Sequence, residues 1–350
     1  MIISNIKGVR LDSLVACVPS NVVNNEEYAK IHFDDDLTPV IKALGIRERH
    51  VAIDKDTTAL TMCVEAARKL QRECAFSNTE IGAVIMVTTS PDYIMPNNAT
   101  YAQYLLDIPR NVAAYDINHA CPGFVFGLWN AALVCKNLQK KILLLDGDIN
   151  TKYVSPYDKS TSLLFGDAGV ACVLTPDDSA EEMNFAFMSD GSNRDKITVK
   201  LGFKNVIAKE MLEYVSLPSG GSKRYIDMEM DGAAVFDYVV NEVPQYVNDF
   251  MDELESEPAE FEHLILHQAN AFMLKKLAKA IGFDYKTKVP MSIGKYGNTS
   301  SVSIPITIAS ELQSDVNRVL CVGMGAGLAT GMAAISLAGL KNYGVSETEL

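Results

Sequence analysis

The residue of this chain best placed to react is Cys121, in the stretch DINHACPGFVFGLWNAAL (116–133). An extended apolar run ends there and helical spacing begins at Pro122. Proline suits the first helical position, where no N–H is needed, so the spacing predicts Cys121 at the helix N-cap. Free N–H groups and the helix dipole at such a place favour a thiolate and lower the thiol pKa. A thiolate is the nucleophilic form and can carry an acyl group as a thioester.

Three further features stand out downstream. His267 closes the apolar run of LILHQAN and, taken alone, reads as a core histidine at a strand end. It lies four residues after His263. The intervening Leu264, Ile265 and Leu266 favour a strand, which would separate the two rings by ~13 Å, so no metal site is expected. Asn298, in GKYGNTSSVSIPI, reads alone as a turn residue or helix cap. The loop GMGAGLATG (323–331) lacks the third glycine of a dinucleotide fingerprint and leaves too little chain for the rest of that unit. A glycine loop after a strand can still offer N–H groups to an oxyanion.

These residues need elements to hold them. IGAVIMVTTSPD (81–92), KILLLDGD (141–148) and GVACVL (169–174) read as buried strands. NVAAYDINHACPGFVFGLWNAALVCKNL (111–138) reads as strand, turn and helix. The second half repeats the plan. FEHLILHQANAFMLKKLAKAIG (261–282) reads as strand, turn and helix, and KVPMSIGKYGNTSSVSIPITIASEL (288–312) as strand, loop and helix. RVLCVGMGAG (318–327) is a strand entering the glycine loop, and ATGMAAISL (329–337) a closing strand. Short apolar runs alternating with helices imply buried sheets with helices on their faces. The expected fold is α/β with an internal duplication. Residues 1–175 form the half with the cysteine and 176–350 the half with His267 and Asn298. The terminal KNYGVSETEL reads as a polar tail that frays.

Bulk composition sets the boundaries. The 350 residues are 48% hydrophobic and 21% charged, an ordinary globular balance. The net charge of −13 argues against nucleic acid or an anionic membrane as the main partner. The N-terminus shows no apolar leader, and no run reaches the ~18 apolar residues of a membrane helix. The seven cysteines (17, 63, 74, 121, 135, 172, 321) are scattered without a C-x-x-C pair and read as reduced thiols of a cytoplasmic protein.

In the order Cys, HQAN, GNTS and a terminal glycine loop, the chain resembles the ketoacyl synthase III family of the thiolase-like superfamily. GIRERH (45–50), TTSPD (88–92), ACPGF (120–124), FGDAG (165–169), MDGAAVFDYVVNEVP (230–244), LHQAN (266–270), YGNTSSVSIP (296–305) and GMGAGLATG carry the likeness over nearly the whole length. It implies a five-layered αβαβα sandwich and a homodimer. It also implies an acyltransferase that joins a Cys121-bound acyl group to a malonyl-acyl-carrier protein with loss of carbon dioxide. His267 and Asn298 would hold the malonyl thioester carbonyl as it becomes an enolate. The N–H groups of Cys121 and Gly327 would form the oxyanion hole, and Met95 would cap the partner's acyl pocket. No resident cofactor is implied, because phosphopantetheine arrives on the carrier protein. Lys275, Lys276 and Lys279, on the helix after HQAN, are the candidate docking surface for that acidic partner.

This sequence also departs from the family. No tryptophan precedes GIRER, and Lys159 stands where the family has an adenine-stacking arginine. A lysine does not stack like a guanidinium, so the expected acyl donor is a carrier protein rather than coenzyme A. His119, two residues before Cys121, reads as hydrogen-bonded structure. Two other functions stay open: transfer from Cys121 to an oxygen or nitrogen acceptor, and a non-catalytic partner subunit. The pathway stays open between fatty-acid initiation and a dedicated biosynthetic role.

Overall fold

The computed structural model describes residues 1–348 except 74, 203, 205–207, 219 and 313–315. In chain order the strands are β1 (Ser4–Ile6), β2 (Val9–Val18), β3 (Val22–Asn24), β4 (Glu48–His50), β5 (Ile81–Val87), β6 (Ala113–Ile117), β7 (Lys141–Asp148), β8 (Ala168–Pro176) and β9 (Met183–Ser189). Short strands β10 to β13 follow (Ile197–Thr198, Val215–Ser216, Ser222–Lys223, Glu229–Met230). The last are β14 (His263–Leu266), β15 (Arg318–Gly325), β16 (Ala329–Ser336) and β17 (Lys341–Glu347). The helices are α1 (Asn25–His32), α2 (Thr38–Leu44), α3 (Ala59–Arg72), α4 (Asn98–Leu105), α5 (Gly123–Leu138), α6 (Gly232–Asp237), α7 (Val243–Glu253), α8 (Ala271–Ala280), α9 (Ile293–Tyr296) and α10 (Ser303–Glu311).

Two sheets organise the molecule, in the orders β17-β2-β8-β7-β5-β6 and β1-β9-β16-β15-β14. In the first, β5 and β7 are parallel and β7, β8 and β2 alternate in direction. In the second, β14 and β15 are parallel and β15, β16 and β9 alternate. The same pattern built twice is the duplication expected from the sequence.

Strand side chains alternate between faces, and here both faces are apolar. On β7, Ile142 and Leu144 face the space between the sheets, while Leu143 and Leu145 face the outer layer. On β15, Val319 and Cys321 face inward, and Leu320 and Val322 outward. Helix α5 packs against β5 and β7 on one side and β15 and β16 on the other, and α10 likewise touches both sheets. Helices α3 and α4 cover the outside of the first sheet; α7 and α8 lie outside the second. The result is five layers, αβαβα. Gly127 lets α5 sit this close, since a Cβ there would lie 2.5 Å from Val87.

Several sequence expectations need correction. The segment at 288–292 forms no strand; it runs beside β14 and is joined to it by one backbone bond, from Leu264 N to Lys288 O. The terminal KNYGVSETEL does not fray over its described part, because residues 341–347 are β17, parallel to β2. The halves also do not divide cleanly at residue 175. β1 belongs to the sheet of the second half, and β17 to the sheet of the first. Of the seven cysteines, Cys74 lies outside the described residues and the other six are free thiols. Among the described residues no helix is long and apolar enough to cross a membrane, and no cluster of three or more His, Cys, Asp or Glu could hold a metal.

Candidate active site

Cys121 lies in the turn between β6 and α5. The helix begins at Gly123 with Pro122 as its N-cap, so the thiol stands one residue before the cap and not on it. The turn is closed by Gly123 N donating to Ala120 O at 2.6 Å. The expectation of a lowered thiol pKa is overturned. Burial pushes Cys121 up to about 11, and the negative charge of Asp148 adds to that; hydrogen bonding from Ala326 N–H and proximity to Ser300 oppose it without prevailing. Desolvation outweighs the helix start because a thiolate loses more hydration than a few N–H dipoles return.

The glycine loop after β15 presses on this turn. A Cβ on Gly325 would lie 2.8 Å from the Cys121 sulfur, and one on Gly323 would lie 2.7 Å from Pro122 Cα. Larger residues would drive the loop off the nucleophile. Gly325 and the Ala326 N–H therefore meet the thiol directly. Gly327 lies two residues further on, with φ +146° in the glycine region, and joins Leu328 through a cis peptide bond.

His267 follows β14 and is buried. Its Nδ1 lies 2.7 Å from Ser303 Oγ and 3.1 Å from Ser300 O. Burial lowers its pKa to about 4, so the ring is neutral at neutral pH. The rest of the HQAN motif is scaffolding. Gln268 accepts from Ile293 N and donates to Leu266 O. Asn270 caps α8 by accepting from Met273 N at 2.8 Å.

Asn298 is anchored by its backbone to the first half of the chain: its N–H donates to Leu164 O, and Gly166 N donates to Asn298 O. Arg49, from the GIRERH segment, backs this contact by donating to Phe165 O at 2.9 Å and to Asn25 Oδ1 at 2.7 Å. The Asn298 carbonyl oxygen Oδ1 accepts from Ser300 N at 2.9 Å. That bond fixes which end of the amide is oxygen and leaves the NH2 group free to donate elsewhere.

Ser300 is the common neighbour that the sequence did not single out. Its N–H orients Asn298, its carbonyl faces His267, and its side chain lies beside Cys121. It holds φ 55°, a left-handed conformation rare for a residue with a side chain and one that tends to occur at functional sites. Thus Cys121, His267 and Asn298, 146 and 31 positions apart in sequence, surround one residue.

The other predicted residues lie elsewhere. Met95 is 76% exposed on the loop before α4. Lys275, Lys276 and Lys279 are exposed on α8; Lys276 rests over Phe272 and Lys275 over Tyr285. Lys159 is held by Asp35 and lies over the Phe33 ring. His119 makes no hydrogen bond among the described residues, contrary to expectation; it stacks on Phe126 with centroids 4.0 Å apart.

The neutral His267 has a measurable consequence. It titrates at about 4 when folded and near 6.5 when free, so between those values the unfolded chain binds the extra proton. Its contribution to stability is complete above pH 6.5 and is lost as pH falls to 4, by ~3 kcal/mol. His267→Gln should lack this dependence. The gap in denaturation midpoint between wild type and variant should shrink from pH 7 to pH 4; a constant gap would contradict a neutral buried imidazole.

Comparison with known proteins matches this geometry to one family. Residues 115–191 match the model of 3-oxoacyl-[acyl-carrier-protein] synthase III, and residues 251–337 that of its C-terminal domain. The chain is 32% identical over 333 residues to a beta-ketoacyl-[acyl-carrier-protein] synthase III of Streptococcus mutans, covering 91% of this chain and 96% of that relative. A counterpart of the same name from Streptococcus pneumoniae is 30% identical over 343 residues, 94% of this chain and 99% of its own. The crystal structure of a 3-oxoacyl-(acyl-carrier protein) synthase from Burkholderia xenovorans superposes with a TM-score of 0.90 at 33% identity, covering 99% of both chains. With its nucleophile turn, HQAN and GNTS segments in one thiolase-like sandwich, the chain belongs to the 3-oxoacyl-[acyl-carrier-protein] synthase III family.

Proposed function

We propose that this protein is a condensing acyltransferase. It takes an acyl group onto Cys121 and joins it, with loss of carbon dioxide, to a malonyl group on an acyl-carrier protein. The observation that carries this reading is the convergence of Cys121, His267 and Asn298 around Ser300. The Asn298 NH2 group and the imidazole donate to the malonyl thioester carbonyl. For His267 to donate from Nε2, its Nδ1 must accept, and the Ser303 hydroxyl at 2.7 Å can supply that proton. As carbon dioxide leaves, charge builds on the carbonyl oxygen, where fixed donors in a site closed to water act most strongly. The enolate carbon then attacks the acyl-Cys121 carbonyl, with the N–H groups of Cys121 and Gly327 receiving the oxyanion. Cys121 leaves as thiolate and the 3-oxoacyl-carrier protein departs. Retention of all three residues favours this over transfer to oxygen or nitrogen, and retention of the nucleophile favours it over a non-catalytic subunit.

The carrier protein docks on α8. Besides Lys275, Lys276 and Lys279, the neighbouring Lys42 on α2 and Lys295 on α9 make no ion pair among the described residues. In a chain of net charge −13, this group of cations beside the HQAN turn suits an acidic partner. The carrier brings both acyl and malonyl groups. Lys159, bound to Asp35, is not free to receive an adenine ring.

A homodimer in the cytoplasm completes the proposal. β6 is the edge strand of the first sheet, and an open edge invites pairing with a second copy. Tyr93, Ile94 and Met95 are all more than 70% exposed on the loop entering α4, which packs on β6.

Four measurements test these points. Intact mass should show Cys121 acylated faster by acyl-carrier protein than by acyl-coenzyme A, and the acylated enzyme should release carbon dioxide from malonyl-carrier protein. Asn298→Ala should acylate normally yet release carbon dioxide ~10²–10³-fold more slowly; full release would remove Asn298 from the mechanism. Reversing charge at Lys276 and Lys279 should raise the KM for malonyl-carrier protein while sparing turnover of a small malonyl thioester; equal losses would count against docking there. Light scattering should give twice the 38.2 kDa chain mass, and Ile94→Glu should shift it toward monomer; a monomeric wild type at tens of micromolar would overturn the dimer.

A further inference from the structure

Two buried carboxyl groups meet one hydroxyl beside the Asn298 turn. β7 ends in Asp146-Gly147-Asp148, and both acids are fully buried. Side chains alternate along a strand, so the two stand on one face. Ser301 lies between them, its Oγ 2.5 Å from Asp146 Oδ1 and 3.3 Å from Asp148 Oδ2. Their remaining partners are unequal. Asp148 Oδ1 accepts from Thr89 N at 2.8 Å, Thr89 Oγ1 at 2.9 Å and Ser90 Oγ at 3.2 Å. Asp146 Oδ2 is buried with no partner among the described residues.

Counting hydrogens assigns the protons. A serine hydroxyl has one hydrogen and can donate it once. Between two ionised carboxyl groups it would satisfy one and meet the other lone pair to lone pair. One acid must therefore bring its own hydrogen. A buried carboxylate needs donors to replace its lost hydration. Asp148 has several besides Ser301, and Asp146 has none. Asp146 is thus the neutral acid. Its O–H donates to Ser301 Oγ, and the Ser301 O–H donates to Asp148, which carries the single negative charge of the pair. Burial pushes both carboxyl groups upward, Asp146 well above its ordinary value.

This chain of hydrogen bonds ends in the segment that builds the site. Ser301 is the middle residue of the short turn Ser300–Val302, which packs on β7. The neighbouring hydroxyls of Thr299 and Ser300 are buried without a partner in hydrogen-bonding geometry, so the Ser301 side chain anchors the turn to the first sheet. One residue earlier, Ser300 N fixes Asn298 Oδ1 at 2.9 Å, and Ser300 O faces His267 Nδ1 at 3.1 Å. Two residues later, Ser303 Oγ lies 2.7 Å from the same ring nitrogen. A turn lifted off β7 would misaim all three contacts. We propose that Asp146 is a positioning residue for the decarboxylating step. Held as the neutral acid, it clamps Ser301 against Asp148 and so fixes the turn that aims the Asn298 amide and the His267 ring at the malonyl thioester. It acts through Ser301 and exchanges no proton with the substrate.

The kinetic part of this inference rests on the condensation proposed above. The neutral acid is read without any substrate, so its failure is distinct from failure of that reading. At pH 7 the infrared difference spectrum between wild type and Asp146→Asn should contain the carbonyl stretch of a protonated carboxylic acid; its absence would overturn the clamp. Asp146→Asn keeps an uncharged donor facing Ser301 and should release carbon dioxide at nearly the wild-type rate. Asp146→Ala and Ser301→Ala, each checked for folding by circular dichroism, should lower kcat for carbon dioxide release ~10–10²-fold, the scale of a misplacement of about 1 Å. The KM for malonyl-carrier protein and the rate of Cys121 acylation should stay close to wild type. Ser301→Ala carries the kinetic test if Asp146→Ala does not fold. Equal losses in acylation and carbon dioxide release, or an Asp146→Asn as slow as Asp146→Ala, would reduce the acid pair to packing and overturn the positioning role.

Discussion

The site depends on a contact that leaves no room for a side chain. The glycine loop of the second half lies against the nucleophile turn of the first, with Gly325 where any Cβ would strike the Cys121 sulfur. This closeness encloses the thiol. Enclosure raises its pKa and places the Ala326 N–H on the sulfur. A more open site would hold a more acidic but wetter thiol, and the dipoles around it would count for less.

Polar groups gather within this apolar sandwich. The inner layer is mainly a hydrocarbon core made by both sheets, α5 and α10. Asp146, Asp148, Ser300, Ser301 and Ser303 are buried polar residues within it, and Ser300 and Ser303 border the imidazole of His267. A backbone is also held in a left-handed turn at Ser300. Such features cost stability, and they are offset by the apolar layers on both sides.

Much of this was legible in the sequence. Apolar runs gave the strands because both faces of each sheet are buried, and the repeated order of elements gave the duplication. Cys121 and His267 stood out because each ends an apolar run, and Asn298 because of the motif order in which it falls. What could not be seen depends on neighbours distant in sequence. The thiol pKa is set by enclosure from a loop two hundred residues away, so local helix logic gave the wrong direction. β17 looked like a tail because only its pairing with β2 makes it a strand. The segment at 288–292 has strand-like residues yet makes only one backbone bond to its neighbour β14, too little for a ladder. Ser300 was not singled out, because its left-handed φ has no signature in residue type. Asp146 and Ser301 are far apart in the chain, and their bond is visible only once β7 lies under the turn that precedes α10.

The two terminal strands have a wider implication. β1 closes the second sheet and β17 closes the first, so each repeat borrows its outer border from the far end of the polypeptide. Neither copy of the ancestral unit can be excised intact at the midpoint. A ribosome delivers the first sheet without its last rung, and that sheet stays unfinished until residues 341–347 emerge. Duplication made two units; the swapped rungs make them inseparable.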